Sequence, residues 1–351
     1  MKATKLTVMG LAIVAALALI WWCRPGDRVV AVADPARTTS LAPSGLPSPS
    51  KKPPKNAAVS ILKQIMEGGP PPPLSAEQLT AYVEAQKHSA ASLLAAWSIC
   101  HDNAWLDEAA QRYPDDPRVA LAKLGTMSDL AGDAKEWIDR LKKNDPKNGL
   151  ACCYDAMSML KEGAPEEARF ALAEAARLGR FDAYTGKSSA GIAGAYESAG
   201  YDELSASMMG MSLTPLPQAQ LVMNLQKELL KQFSVGPDDA LVQDMLHLSK
   251  NVAGQSDPGA LIMNLVGSSM ERKVLNELNA LDLVPGTKKM VVERMEELDQ
   301  EKNLVRDLIQ KVPPLMATMS DTQLKQYLRR SKVEGELKAM QWLVKQQPET
   351  R

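Results

Sequence analysis

The stretch from Asp145 to Leu178, DPKNGLACCYDAMSMLKEGAPEEARFALAEAARL, constrains the fold most because its punctuation leaves room only for two short helices and a tight turn. Asp145-Pro146 ends a preceding helix, since the proline ring disfavours helical backbone in the residue before it. From Leu150, the small and apolar residues Ala151, Cys152, Ala156, Met159 and Leu160 recur at steps of three and four, the helical period. Gly163 supplies the left-handed turn, Pro165 suits the first turn of the next helix, and Glu166 and Glu167 favour its positive end. Ala168, Leu172, Ala175 and Ala176 then share one face. Such a hairpin has an apolar side that needs a neighbour.

This unit resembles a tetratricopeptide repeat. Aligned on that pattern, Ala156 takes the small position of the first helix, Gly163 the turn, Ala168 and Ala175 the small positions of the second helix, and Leu172 the large apolar one. Pro146 takes the proline closing the previous unit. Cys152 stands where the family favours Trp, and Met159 where it favours Tyr. The resemblance implies stacked helical hairpins that bind a peptide or partner protein, and it names no ligand.

Looser copies flank the unit. Pro114 and Pro146 stand thirty-two positions apart, close to the family's period of about 34. Between them lie Val119, Leu121, Leu124 and Met127, a break at Gly132-Asp133, then Trp137, Ile138 and Leu141. Upstream, the Ser75–Gln78 capping box opens a helix with Leu79, Tyr82 and Val83 inward. Leu93, Leu94, Trp97 and Ile99, then Leu106, Ala109 and Ala110, follow before Tyr113-Pro114. Downstream, Ile192, Ala193 and Tyr196, a turn at Gly200, and Leu204, Met208 and Met209 make another hairpin. About four hairpins suffice for a solenoid. Aromatic residues are 5% of the chain, and the apolar content is mostly Ala and Leu, which suits packed helices rather than sheets.

The expected fold is therefore all-α: hairpins stacked as an α-solenoid over 75–214, then a helical C-terminal region over 215–351. In that region Gln218 to Phe233, Pro237 to Val252 and Pro258 to Leu281 read as helices without the repeat signature. A longer helix after Pro285-Gly286 carries Val291, Met295, Leu298, Val305, Ile309 and Val312 at heptad-like spacing, with Lys302 in the remaining seam position. Pro313-Pro314 is expected to stop it. A second capping box, Ser320–Gln323, starts a last helix with Leu324, Leu328, Leu337, Met340 and Leu343. The two make a long helical hairpin inside the chain or, alternatively, a coiled-coil contact with a partner through 290–312.

The chain begins with Lys2 and Lys5 and an apolar run containing Leu6, Val8, Leu11, Ile13, Val14, Leu17, Leu19, Ile20, Trp21 and Trp22. Its length lies at the lower edge of a membrane span, and the paired tryptophans suit the headgroup boundary. The expectation is an uncleaved anchor over 1–23; the alternative is cleavage after Ala33, in Ala31-Val32-Ala33, and secretion. Residues 24–74 are rich in Pro, Ser and Lys and read as a solvated linker ending in the stiff run Pro70 to Pro73. Lys51, Lys52 and Lys55 are available to touch anionic lipid, and Ala57 to Met66 fits a short amphipathic helix. The expected location is a bacterial inner membrane, as a single-pass protein with its body in the periplasm.

Candidate chemistry is sparse. With 41 basic and 42 acidic residues, the near-neutral chain has no expected nucleic-acid surface. Gly186-Lys187-Ser188 ends like a phosphate-binding loop, but Phe181 occupies the leading glycine's position, so a capped helix start is expected. His88, His101 and His247 are the only histidines, and neither Cys100-His101 nor Cys152-Cys153 has metal-ligand spacing. No metal or cofactor is expected; the thiols read as small core residues, with a Cys100 disulfide to Cys152 or Cys153 left open. Met208, Met209 and Met211 read as core filling before adaptable groove. No catalytic motif occurs, so the expected function is a membrane-tethered, exported scaffold that binds a protein or peptide in the envelope. The alternative is an all-α envelope enzyme acting on glycan through a carboxylate pair in a cleft.

Overall fold

The computed structural model describes residues 64, 71–127, 130, 132–231, 238–254, 260–316 and 318–346. Among them the regular structure is helix throughout, with no strand and two isolated bridges, Asn148 to Arg180 and Leu283 to Met290. In chain order the helices are α1 (Ala76–Ala85), α2 (Ala90–Cys100), α3 (Asn103–Arg112), α4 (Pro117–Thr126) and α5 (Ala134–Asn144). There follow α6 (Gly149–Lys161), α7 (Pro165–Leu178), α8 (Thr185–Ser198), α9 (Glu203–Leu213) and α10 (Pro217–Leu230). The last five are α11 (Asp239–Ala253), α12 (Ala260–Leu275), α13 (Val291–Met316), α14 (Asp321–Glu334) and α15 (Glu336–Lys345). The expected anchor, Leu6 to Trp22, lies outside the described residues, and no helix among those described is long and apolar enough to cross a membrane.

Short polar side chains start these helices as the sequence indicates. Ser75 Oγ accepts from the Gln78 backbone N–H at 3.2 Å while Gln78 Oε1 accepts from the Ser75 N–H at 2.9 Å, and Ser320 and Gln323 repeat the arrangement at α14. Asp102, Asp116, Asn148, Asp202 and Asp238 cap α3, α4, α6, α9 and α11. Each cap supplies an acceptor to N–H groups that have no partner inside the helix.

The α6–α7 hairpin makes one of the largest helix contacts. Ala156, Ala168, Leu172 and Ala175 are buried, and Gly163 turns the chain at φ +77°. On α7 burial follows a single stripe that also takes Ala171 and Ala176, and Phe170 points to solvent. On α6 it does not: Cys153, Tyr154, Met157 and Ser158 are buried beyond the expected face, and Met159 and Leu160 are only half-buried. The reason is that α5, α7 and α10 all pack on α6, so it has almost no solvent side.

The hairpins do not stack strictly in chain order. α8 pairs with α9 and lies across α2 and α1, whereas α7 packs on α11. The α2–α8 crossing is close because small residues line it: a Cβ on Gly191 would sit 3.2 Å from the Ala91 carbonyl oxygen. Two hydrophobic cores result. Core one takes α5, α6, α7, α10, α11 and α12 with the first half of α13; core two takes α1, α2, α3, α8, α9, α14 and α15 with the second half of α13. α4, α12 and α13 contribute to both, and Trp137 packs against both. Each core therefore draws on both sides of Pro215 and Pro217. Met208 and Met209 are buried in core two and Met211 packs against it, so the methionine cluster is core filling.

Four boundaries differ from expectation. The helix expected to reach Leu281 ends at Leu275, and a turn follows it. The expected stop at Pro313-Pro314 falls inside α13, which runs to Met316; prolines in a last turn remove donors but leave the preceding carbonyls free to bond elsewhere. The expected single last helix is two, α14 and α15, broken at Gly335 with φ +89°, which an L-residue rarely adopts. The linker's end is not solvated: Leu74 is buried in core two and the Tyr196 O–H donates to the Pro72 carbonyl at 2.8 Å. Of the short helix expected over Ala57 to Met66, only Gln64 is described, and it is helical. The heptad residues Val291, Leu298, Val305, Ile309 and Val312 are buried within the chain.

Candidate functional site

One concave feature lies where α13, α14 and α15 meet. A cleft of about 160 Å³ has Leu315, Met319, Trp342 and Leu343 as its apolar wall and Thr318, Gln323, Gln326 and Gln346 as its polar one. Among the described residues no ionisable side chain lines it. The Gly335 break makes it, by folding α15 back on α14 and bringing Trp342 and Gln346 opposite Gln323 and Gln326. Arg330 stacks over the Trp342 ring at 4.9 Å and pairs with Glu334 at 2.6 Å, which fixes the indole. Gln323 Oε1 is committed to the Ser320 N–H and hydroxyl, so its NH₂ remains as a donor. The Thr318 hydroxyl donates to the Leu315 carbonyl and keeps its lone pairs. Sequence reasoning did not find this site; its signal was Gly335 following a glutamine pair at helical spacing.

A second feature is the turn between α12 and α13. Leu281, Leu283 and Val292 are exposed, the first two strongly. The turn is held by backbone bonds from the Val291 N–H to Asp282 O at 2.9 Å, from Val292 to Ala280 at 3.0 Å and from Val284 to Lys289 at 2.9 Å. The three aliphatic side chains are thus presented on a stiff support rather than on a loose loop.

The polar clusters elsewhere are structural in geometry. Asn148, 1% exposed, donates to Asp182 O at 2.7 Å and accepts from the Asp182 and Leu150 N–H groups, so one amide ties α6 to the α7–α8 loop. Arg180 bridges Asp145 and Asp182 at 2.6 and 2.7 Å, and Tyr184 donates to Asp145. Burial, with Asp145 beside it, pushes the Tyr184 phenol well above its ordinary range. Between α12 and α13, buried Glu271 takes a two-pronged ion pair from Arg294 at 2.7 and 2.9 Å, and Arg294 reaches Glu297 as well. Asp244 is a carboxyl held above its usual range: burial raises it, and His247 and Arg169 only partly offset that.

Gly186, Lys187 and Ser188 lie in the first turn of α8, a helix start as expected, but no side chain caps it. Asp182 accepts from the Tyr184 N–H at 2.7 Å instead, and Tyr184 holds the cap position in the left-handed region. His88 faces Glu108 at 2.7 Å, while His101 ends α2 and His247 lies on α11, so the histidines do not converge. Cys100, Cys152 and Cys153 are free thiols; Cys100 is exposed and the other two are buried in core one, where burial pushes the Cys153 thiol far up. Among the described residues no group of His, Cys, Asp and Glu is placed to hold a metal.

No family model matches the chain, and no curated protein or solved structure matches it either.

Proposed function

We propose that this protein is a membrane-tethered helical-repeat adaptor whose body docks a partner protein in the bacterial envelope. The observation that carries the reading is the stiff turn bearing Leu281, Leu283 and Val292. Three exposed aliphatic side chains on a braced support cost solvation and return nothing to the fold, and clustered exposed apolar residues mark protein contacts. Further support comes from the cleft, whose described lining has glutamine amides and no carboxylate, which suits binding better than acid–base chemistry, and from the spacer's seat at Pro72, which gives a tether a fixed point of attachment. In this reading Leu6 to Trp22 is the inner-membrane anchor, residues 24–70 span the gap, and the body lies in the periplasm. The resemblance of Asp145 to Leu178 to a tetratricopeptide repeat agrees with a protein or peptide partner.

The test is a photo-crosslinking amino acid placed in the full-length protein in its native cell, at Leu283 in one strain and at Val333 in another. Both positions are exposed, at 60% and 75%, but Val333 lies on α14 away from the turn in sequence. A discrete protein adduct from position 283 and none from 333 is the expected result. Equal labelling from both, or none from either, overturns the reading.

A further inference from the structure

We infer that the braced turn between α12 and α13 docks a cationic protein segment, one that carries lysine or arginine beside aliphatic or aromatic side chains. The inference rests on the adaptor reading and adds to it the chemistry of the partner. The apolar part of the turn has a defined shape. The Leu283–Met290 bridge is antiparallel and the Val291 N–H donates to Asp282 O, so residues 281–283 run alongside 290 and 291. Side chains alternate across such a pair, which sets Leu281, Leu283 and Met290 on one face. The bond from the Val292 N–H to Ala280 O brings Val292 beside Leu281.

Charge identifies the partner. Asp282 stands between the two leucines, Glu293 opens α13, and Glu296 lies one helical turn beyond Val292. All three are exposed, and among the described residues none of them has a cationic partner; Glu293 accepts only from the Met290 N–H. The neighbouring cations are committed, Lys289 to Glu297, Arg294 to Glu271 and Arg272 to Asp299. Within the turn Lys288 is the one cation left over. The next helix over adds acid rather than base: a Cβ on Gly286 would lie 3.8 Å from Gln243 Nε2 on α11, and Asp239 stands one turn before Gln243. Residues 232–237 and 255–259, which join α10, α11 and α12, contain no Lys, Arg or His.

An apolar face rimmed by carboxylates without counter-ions attracts cations and repels anions, on approach as well as in contact. That separates a basic protein segment from the other surfaces an apolar turn could meet. The rim repels an anionic lipid leaflet. A second copy docked face to face about a two-fold axis would set the acidic rim against itself. Lys51, Lys52 and Lys55 of the linker are cationic too, and the experiment distinguishes them from a partner.

The experiment keeps the photo-crosslinking amino acid at Leu283 of the full-length protein in its native cell and changes the rim around it. One variant is Asp282→Asn/Glu293→Gln/Glu296→Gln, in which Glu293→Gln keeps an acceptor for the Met290 N–H. The other is Lys288→Gln, which makes the rim more acidic. All four side chains are exposed, so both variants are expected to melt with the wild type. The adduct should fall about tenfold in the triple variant and rise about twofold in Lys288→Gln, the scale of a few exposed charge pairs. The crosslinked peptide, read by mass spectrometry, should carry more Lys and Arg than Asp and Glu. Yields unmoved by either variant, or a peptide without that basic excess, overturn this inference and leave the adaptor reading standing. Adducts to lipid, to a second copy or to residues 51–55 overturn both, as does the absence of any adduct.

Discussion

Core one and core two are built from the same kind of short helix but from different parts of the chain. Core one is nearly continuous in sequence, α5 to α7 and α10 to α12, so most of its contacts join neighbours. Core two joins α1 to α3, α8 and α9, and α14 and α15, the beginning, middle and end of the described chain. Its α2–α8 contact spans nearly a hundred residues, whereas the α6–α7 hairpin closes over a handful. Loop-closure entropy rises with the logarithm of length, so a loop tenfold longer costs about 2 kcal/mol more to close. Core one also has the interlocks that resist sliding, Asn148 across to Asp182 and Glu271 across to Arg294. The comparison teaches that core two depends on core one, and that it should open first.

The largest effect that breaks or sharpens this contrast comes from paired truncations. Leu172 in core one and Leu93 in core two are each fully buried. Either change to Ala is expected to cost about 2–5 kcal/mol, the transfer term plus a cavity. Hydrogen exchange should tell them apart. Leu93→Ala should expose amides of α1, α2, α8 and α9 while α6, α7, α11 and α12 keep their protection. Leu172→Ala should lower protection in both sets. If Leu172→Ala spares core two, the dependence is wrong and the cores fold independently.

A smaller effect comes from two helix crossings that admit only glycine. A Cβ on Gly267, in α12, would lie 2.5 Å from the Ser249 carbonyl oxygen; one on Gly210, in α9, would lie 2.3 Å from that of Ser189. Both obstacles are backbone, so the helices themselves must part. Alanine at either site is expected to cost about 1–3 kcal/mol. In urea, followed by circular dichroism, Gly267→Ala should shift one cooperative transition. Gly210→Ala should split it, with core two leaving at lower denaturant. A single shifted transition in both variants would make the molecule one cooperative unit and remove the hierarchy.

What the sequence made legible follows the same division. Features set by a few adjacent residues were readable: the capping boxes at Ser75 and Ser320, the Gly163 turn, and the apolar stripe of α7. Features that need a distant partner were not. Nothing local to Ala91 or Gly191 says that they meet, because small residues permit a close crossing without specifying which helix crosses. Asn148 caps α6 locally, but its bonds to Asp182 emerge only when α7 turns the chain back. The α6 pattern misled because an interior helix has no polar face to set a period. The cleft is not legible for two reasons: the apolar spacing runs through Gly335 as if in one helix, and its wall combines residues from three helices whose glutamines alone carry no chemistry. Leu281 falls at the end of the helix expected from Pro258 but lies in an exposed turn, since an exposed Leu and a buried one look alike in sequence.

The smallest predicted effect tests where the spacer meets the body. Tyr196 is buried in core two, packs edge-on against Tyr201 at 5.2 Å, and uses its hydroxyl on the Pro72 carbonyl. Tyr196→Phe keeps the ring and removes only the donor, so the expected loss is about 0.5–1.5 kcal/mol. Pro72 is half-buried, so a carbonyl freed of the hydroxyl has water within reach, which favours the lower end. Exchange of the Leu74 amide should quicken, because the chain before it is no longer pinned, while amides of α6 and α7 stay unchanged. If Leu74 exchange does not move, its apolar burial alone holds the spacer, and the hydroxyl only orients it. If α6 and α7 exchange quickens as well, core one feels a change made in core two, and the order of dependence runs both ways. In either case the spacer joins the core that closes the longest loops. A pull along residues 24–70 would therefore load core two before core one.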